Sequence, residues 1–359
     1  MSESAAPAAT APAERPGRWL RPLVPPAIAV LFALAVGAGF ILAVGQDPLA
    51  VYGAMASGVF GSAYGWGQVL FKATPLVFTG LAVALGFRAG LFNIGAEGQA
   101  YLASFVMGAA GASLAAHLPG PVVMISSALA GVAVGSAYAA LPGLLKARFG
   151  SHEVINTIML NFIAFALVNY FGHAAFAHET VHTAELPAGA LLPRLELLWP
   201  AFRGSPVNAS LLLAALASVA VGLLLWRTPF GYELRAVGMS PAAAEYGGAR
   251  VPAMWVKTMA LSGALASLVG VNFVFGYKGY FESGFTSGVG FLGIAVALLG
   301  RTHPAGIALA ALFFGALSQG GLVINSMVPK ELVDILQAIV ILMAIVSHEV
   351  VERRLRKRA

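Results

Sequence analysis

The chain has 359 residues, of which 59% are hydrophobic and only 10% charged, with 42 glycines and no cysteine. A soluble globular domain carries about a quarter charged residues to face water, so this balance, with a mean hydropathy of +0.83, excludes a soluble body of this size. The missing cysteines exclude disulfides, thiolate metal sites and cysteine nucleophiles together, and the many small residues suit helices that pack closely in lipid. An all-α, polytopic integral membrane protein is expected.

Residues 1–22 are Ala/Pro-rich and polar, without a leading apolar run, and are expected to form a disordered cytoplasmic tail rather than a cleavable signal peptide. Crossing roughly 30 Å of hydrocarbon takes about 20 helical residues. Ten stretches within 23–350 read as spans: 24–44, 68–86, 96–116, 121–142, 153–172, 208–226, 253–275, 287–300, 304–323 and 332–349. The stretch at 68–86 contains Lys72 and Pro75, and that at 287–300 is short and glycine-rich.

Lysine and arginine orient such a bundle. With ten spans and both termini inside, 16 of the 21 Lys and Arg fall on the cytoplasmic side, among them Arg88, Lys146, Arg227, Arg235, Arg250, Arg301 and the run from Arg353 to Arg358. Only Lys72, Arg194, Arg203, Lys278 and Lys330 stay outside. One missed or false span would flip every later loop, so the partition supports an even count. The basic tail at 351–359 is expected to rest on anionic membrane lipid, not on nucleic acid.

Ionisable groups at membrane depth are costly and mark candidate sites. Between the second and third stretches, Arg88, Asn93, Glu97 and Gln99 sit among Gly90, Gly95 and Gly98. The glycines permit a tight reversal or a broken helix, which is tolerated only against protein or water. A helix starting near Asn93 would use that side chain as its N-cap and hold Glu97 near the positive end of its dipole. Two readings stay open: Asn93, Glu97 and Gln99 line a polar cavity or gate, or they form a structural knot with Glu97 paired to Arg88 or to backbone. At the start of the fifth stretch, Glu153, Thr157 and Asn161 recur every four residues beside Asn156, forming one helical stripe. That stripe would either hydrogen-bond a polar solute or join neighbouring helices.

The loop at 227–252 points to a partner. Ser240 and Pro241 read as N-cap and first helical position, Ala242 to Tyr246 as helix, and Gly247 with Gly248 as its end. A short helix between glycines is shaped to be gripped by another protein, or serves as an ordinary amphipathic connector. The outer loop at 173–207 carries Pro187, Pro193, Pro200 and Pro206; it is long enough to receive a periplasmic protein or is simply solvated. His173, His178 and His182 lack the spacing of a zinc site, so no metal is expected. Phe92, Trp255, Phe281 and Phe291 could stack on a purine or pyrimidine ring, although aromatics also belong to membrane interfaces. Asp334 could pair with Lys330. No phosphate loop, G-x-S-x-G elbow or H-E-x-x-H helix occurs, so neither an ATPase nor an enzyme of those kinds is encoded.

The strings FRAGLFNIGAEGQ, EVINTIMLN, GYELRAVGMSPAAAEYGG with LSGALASLVG, and GVGFLGIAVALLGRTHPAG are similar to permease subunits of bacterial ABC importers. More narrowly they resemble the nucleoside-type branch that works with basic-membrane-protein-like lipoproteins, within the superfamily of ribose and branched-chain amino acid permeases. The resemblance implies a non-catalytic subunit of the bacterial inner membrane that forms half of a pathway for a small polar solute, with a nucleoside expected. It implies Asn93, Glu97, Gln99, Glu153, Asn156 and Asn161 near the pathway or gate. It implies a coupling segment with Gly238, Ser240, Pro241, Ala243, Ala244 and Gly247 docking on a cytoplasmic ATPase. A second permease subunit and a binding lipoprotein or periplasmic binding protein would complete the assembly, with solute choice largely on that binding protein. No cofactor would be bound by this chain, ATP being used by the partner ATPase. The family often has asparagine where this chain has His152. The competing expectation is an ion-coupled secondary transporter with Glu97 or Glu153 as proton carrier.

Overall fold

The computed structural model describes residues 24–175, 182–329 and 331–356. The expected tail at 1–22, His178, Lys330 and the side chains of the basic tail at 351–359 lie outside the described residues. Thirteen α-helices follow one another there, with three short 3-10 turns between the sixth and the seventh: α1 (Val24–Ala43), α2 (Pro48–Phe60), α3 (Ala63–Arg88), α4 (Ala96–Leu114), α5 (Gly120–Phe149), α6 (Glu153–Ala175), α7 (Ser210–Arg227), α8 (Pro229–Met239), α9 (Pro241–Tyr246), α10 (Val251–Lys278), α11 (Val289–Leu299), α12 (Pro304–Val323) and α13 (Glu331–Arg356). The last turns of α10, from Val271, are wound as π-helix. Among the described residues β-structure is limited to two isolated bridges, His182 with Glu282 and Arg194 with Asn208.

Six of these helices are long and apolar enough to cross a membrane: α3, α5, α6, α7, α10 and α12, matching six of the ten expected stretches. A bent pair would make a seventh, because α1 and α2 meet at 118°. Gly45 turns left-handed with φ +82°, and Asp47 caps α2 by accepting the Leu49 N–H at 2.9 Å, so the chain folds back after α1. Glu97 and Gln99 in the first turn of α4 dilute its apolar character. The expected stretch at 287–300 contains only the 11 residues of α11, a helix of about 16 Å.

Small residues decide how closely the helices approach. Along α5, Gly131, Gly135, Ala139 and Gly143 recur every four residues; Gly131 admits Ala103 and Met107 of α4, while Gly135, Ala139 and Gly143 face α10, where Gly263 lies against the Gly135 backbone. On α12, Gly315 lets the Val69–Ala73 backbone of α3 come close, and Gly80 of α3 admits Ile307 and Val296. These contacts bury most of α3 in the middle of the bundle.

The bundle has two distinct ends. At one, Gly90 touches Gly238, Arg88 reaches the Thr302 carbonyl, Trp226 packs on His303 and Lys146 lies over Trp255. Arg88, Lys146, Arg227, Arg235 and Arg301 therefore gather at one basic end. At the other, the segment after residue 181 is bonded to the end of α10: Thr183 donates to Phe281 O (2.9 Å), Leu186 to Gly279 O (2.8 Å) and Leu192 to Phe275 O (2.8 Å). This outer segment is thus docked on the bundle rather than loose in solvent. His182 bonds within it, to the Thr183 carbonyl. His173 sits apart in the last turn of α6.

Candidate functional site

The segment 89–95 folds back into the bundle from the basic end. Asn93 is fully buried: its Oδ1 accepts from the Gly95 N–H (3.0 Å), and its Nδ2 donates to Gln99 Oε1 (2.9 Å) and Ser262 Oγ (2.8 Å). Ser262 in turn donates to the Ala82 carbonyl, six residues before Arg88. That puts Asn93 about 9 Å inside the basic end of α3. Asn93 does not cap a helix at its own position. Its amide is consumed by Gly95, Gln99 and Ser262, and α4 begins three residues later, at Ala96.

Glu97, 2% exposed, does not pair with Arg88. Its two carboxylate oxygens accept backbone N–H groups from the start of α11: Oε1 from Gly288 (3.1 Å) and Oε2 from Gly290 (2.6 Å). These are donors that a helix N-terminus leaves free, at the positive end of its dipole. Glu97 therefore neutralises a helix end at membrane depth and ties α4 to α11. The approach is so close that a Cβ on Gly290 would collide with the Glu97 backbone. The entry to α11 is strained, since Ser287 holds φ +44° just before Gly288 at +82°.

The stripe on α6 divides. Glu153 pairs with Lys146 Nζ at 2.6 Å, across the turn between α5 and α6. Thr157 bonds back to the Glu153 carbonyl (2.8 Å). Asn161 reaches across to α4, accepting from Gly98 N–H (2.9 Å) and donating to the Ile94 carbonyl (3.0 Å). Half-buried Asn156 bonds locally to Ser151 Oγ (2.7 Å). His152 caps α6 through Nδ1, accepting from Val154 N–H at 3.4 Å, a task that an asparagine also performs. Neither Glu97 nor Glu153 is an unengaged carboxylate.

Above Glu97 lies an open cleft of about 620 Å³, between α4, α6 and the segment leading into α11. Tyr101, Phe165 and Phe291 supply rings, and Asn169, Ser283, Thr286 and Ser287 supply neutral polar groups. The Tyr101 hydroxyl bonds Ser283 Oγ at 2.8 Å, a second tie from α4 to this segment. Of the aromatics singled out from sequence, only Phe291 lines the cleft. Phe281 is buried behind Tyr101 and Phe105, Phe92 packs on Phe87, and Trp255 lies beneath Lys146. Tyr101, Phe165 and Asn169 were not anticipated, yet extending the four-residue stripe from Asn161 leads to Phe165 and Asn169. Tyr101 is likewise four residues beyond Glu97.

At the basic end, Ser240 caps α9 by accepting the Ala243 N–H (3.3 Å), and Pro241 opens it, as the sequence predicts. Gly238 is pressed against the Arg88 carbonyl, where a Cβ would collide. Ala244 is buried underneath, while Ala243 and Gly247 face outward and Met239 and Tyr246 protrude, Tyr246 being 98% exposed.

A bundle of apolar helices, with polar groups buried at membrane depth and a solute-sized cleft, defines a multi-pass membrane permease. The family model for branched-chain amino acid transport system / permease components matches residues 65–345, and the chain belongs to this family. It is 38% identical to the guanosine ABC transporter permease protein NupP of Bacillus subtilis (strain 168), over 91% of this chain and 94% of that protein. It is 36% identical to the glucose ABC transporter permease protein TsgB13 of Haloferax volcanii, covering 90% and 87%. It is 34% identical to the nucleoside ABC transporter permease protein NupB of Lactococcus lactis, covering 89% and 90%. No solved structure matches. The chain is thus the permease subunit of an ABC importer, a transport subunit and not a catalyst, and the ion-coupled reading gives way.

Proposed function

We propose that this permease forms half of a pathway for nucleosides across the bacterial inner membrane. The observation that carries the reading is the lining of the cleft. Aromatic rings stand beside neutral hydrogen-bonding groups, and the carboxylate at its floor is already bonded to the start of α11. Such a lining suits an uncharged, ring-bearing polar solute, whereas a zwitterionic amino acid needs charged partners for both of its ends. The names of two similar permeases, guanosine and nucleoside, support the same solute.

In this reading Glu97 and Asn161 border or brace the pathway, Asn93 and Gln99 support them, and Glu153 with Asn156 stands at its inner mouth. Ten membrane-inserted segments, with α11 making a half-length return, leave both termini in the cytoplasm; the gathering of Arg88, Lys146, Arg227, Arg235 and Arg301 at one end supports this orientation. The exposed turn of Ser240, Pro241, Ala243 and Gly247, seated through Gly238 and Ala244, docks on a cytoplasmic ATPase. That partner uses ATP, and this chain binds no cofactor. A second permease closes the open side of the cleft, and a binding lipoprotein or periplasmic binding protein delivers the solute.

The test is uptake by the complete assembly in proteoliposomes with ATP inside. Labelled guanosine should accumulate far above glucose and leucine; preferential glucose or leucine uptake would refute the solute assignment. Ala243→Glu should abolish ATP-driven uptake while the permease stays folded. Normal uptake by that variant would remove the coupling assignment.

A further inference from the structure

We propose that the basic end carries a binding site for an anionic phospholipid, built from Arg88, Arg235 and Trp226 beneath the lipid-facing stripe of α7. Two observations meet there. The first is charge without a counter-charge. The Arg88 guanidinium lies 5.6 Å from the centre of the Trp226 ring and reaches the Thr302 carbonyl at 3.5 Å, and its buried Nε has no partner. Its electrostatic neighbour is another cation, Arg235, which among the described residues bonds the Gly231 carbonyl of its own helix (3.3 Å). The ion pairs among the described residues are Lys146–Glu153, Arg194–Glu196 and Lys278–Glu282, none of which reaches this cluster. Two like charges held together cost free energy unless an anion joins them.

The second observation fixes the kind of anion. Leu212, Leu216, Val219 and Leu223 recur along one face of α7, each between 54% and 66% exposed, and the next position on that face is Trp226. The stripe runs through a helix long and apolar enough to span the membrane and ends where the guanidiniums begin. A phosphodiester headed by acyl chains matches both parts: the chains lie along the leucines, the Trp ring sits at headgroup level, and the phosphate takes the unused N–H groups. A free phosphate or an acidic protein segment would use the cations and leave the stripe unexplained.

The site also touches the joint described above. The carbonyl of Arg88 is the surface against which Gly238 packs, and its guanidinium bonds the turn between α11 and α12, where Arg301 and Thr302 both hold left-handed backbone (φ +54° and +53°). A bound headgroup would brace that joint; this consequence rests on the coupling role proposed for α8 and α9, whereas the lipid site does not.

The experiment is native mass spectrometry of the full-length permease after exchange into mixed phosphatidylglycerol and phosphatidylcholine. The wild type should retain phosphatidylglycerol in preference to phosphatidylcholine. Arg88→Gln with Arg235→Gln should remove that preference, at about fivefold per guanidinium. Arg235→Gln alone, at a half-buried position of α8, gives about half of the effect on a logarithmic scale if the double variant fails to fold. Arg203→Gln, at the opposite end, should change nothing. Unchanged preference in the Arg235 variant would overturn the proposal. So would equal displacement of lipid by millimolar inorganic phosphate, which would mark a free-anion site. Loss of ATPase co-purification with lipid preference intact would assign the cluster to the partner protein instead.

Discussion

Among the described residues two carboxylates, Glu97 and Glu153, are buried in this bundle, and they are held in opposite ways. Glu153 meets Lys146 seven residues away, at the basic end, and its partner also rests on the Trp255 ring. Glu97 meets no cation. It takes N–H groups from Gly288 and Gly290, more than 190 residues later in the chain, at the start of a half-length helix. The first arrangement closes a turn between neighbours and leaves a cation that can turn to solvent. The second joins two separate parts of the fold beneath the cleft, where the buried N–H of Gly290 is turned away from solvent. Burial is alike for the two residues; what differs is whether the partner has an alternative.

That difference is open to breakage. Glu97→Ala strands the buried N–H of Gly290 and frees the part-buried N–H of Gly288, and should cost about 2–4 kcal/mol. A thermal unfolding midpoint in detergent close to the wild type would show that α11 does not depend on the clamp. Asn161→Leu, on the same stripe as Glu153 but bonded to Gly98 and Ile94, should behave like the Glu97 region and lose about 1–3 kcal/mol. If it instead matched Glu153 variants, membership of the stripe would matter more than the bond across helices. Glu153→Gln should cost about 1 kcal/mol, because Lys146 keeps its aromatic support and a path to water. A loss larger than that of Asn161→Leu would reverse the comparison. His152→Asn exchanges one capping acceptor for another and should shift stability by less than about 0.5 kcal/mol; a larger shift in the same melting measurement would mean that His152 does more than cap α6.

The parts of the fold legible in the sequence were those governed by short-range regularity. The spans now seen as α3, α5, α6, α7, α10 and α12 follow from high hydropathy over long stretches. The cap at Ser240 with Pro241 follows from local backbone chemistry. The bend between α1 and α2 had a local signature too, since Asp47 and Pro48 form an N-cap and first helical position, but a reading by apolar stretches passes over it. The cleft was half legible. Asn161 pointed along its stripe to Phe165 and Asn169, while Ser283 to Ser287 sat unnoticed as a polar gap between two apolar runs.

By itself, then, the sequence determined class and polarity: scarce charge excluded a soluble fold, its placement gathered the cations at one end, and motif resemblance pointed to the permease family. Only the tertiary structure decided what the polar residues do. Glu97 could have paired with Arg88, closed a knot or faced a solute, because a carboxylate accepts whatever donor is brought to it. The fold brought it the free N–H groups of α11 and left Arg88 beside Arg235 and Trp226. Hydropathy and capping act between residues a few positions apart and so are written in sequence order. The partner of a buried charge is chosen by packing between distant helices, a contact that no local pattern encodes.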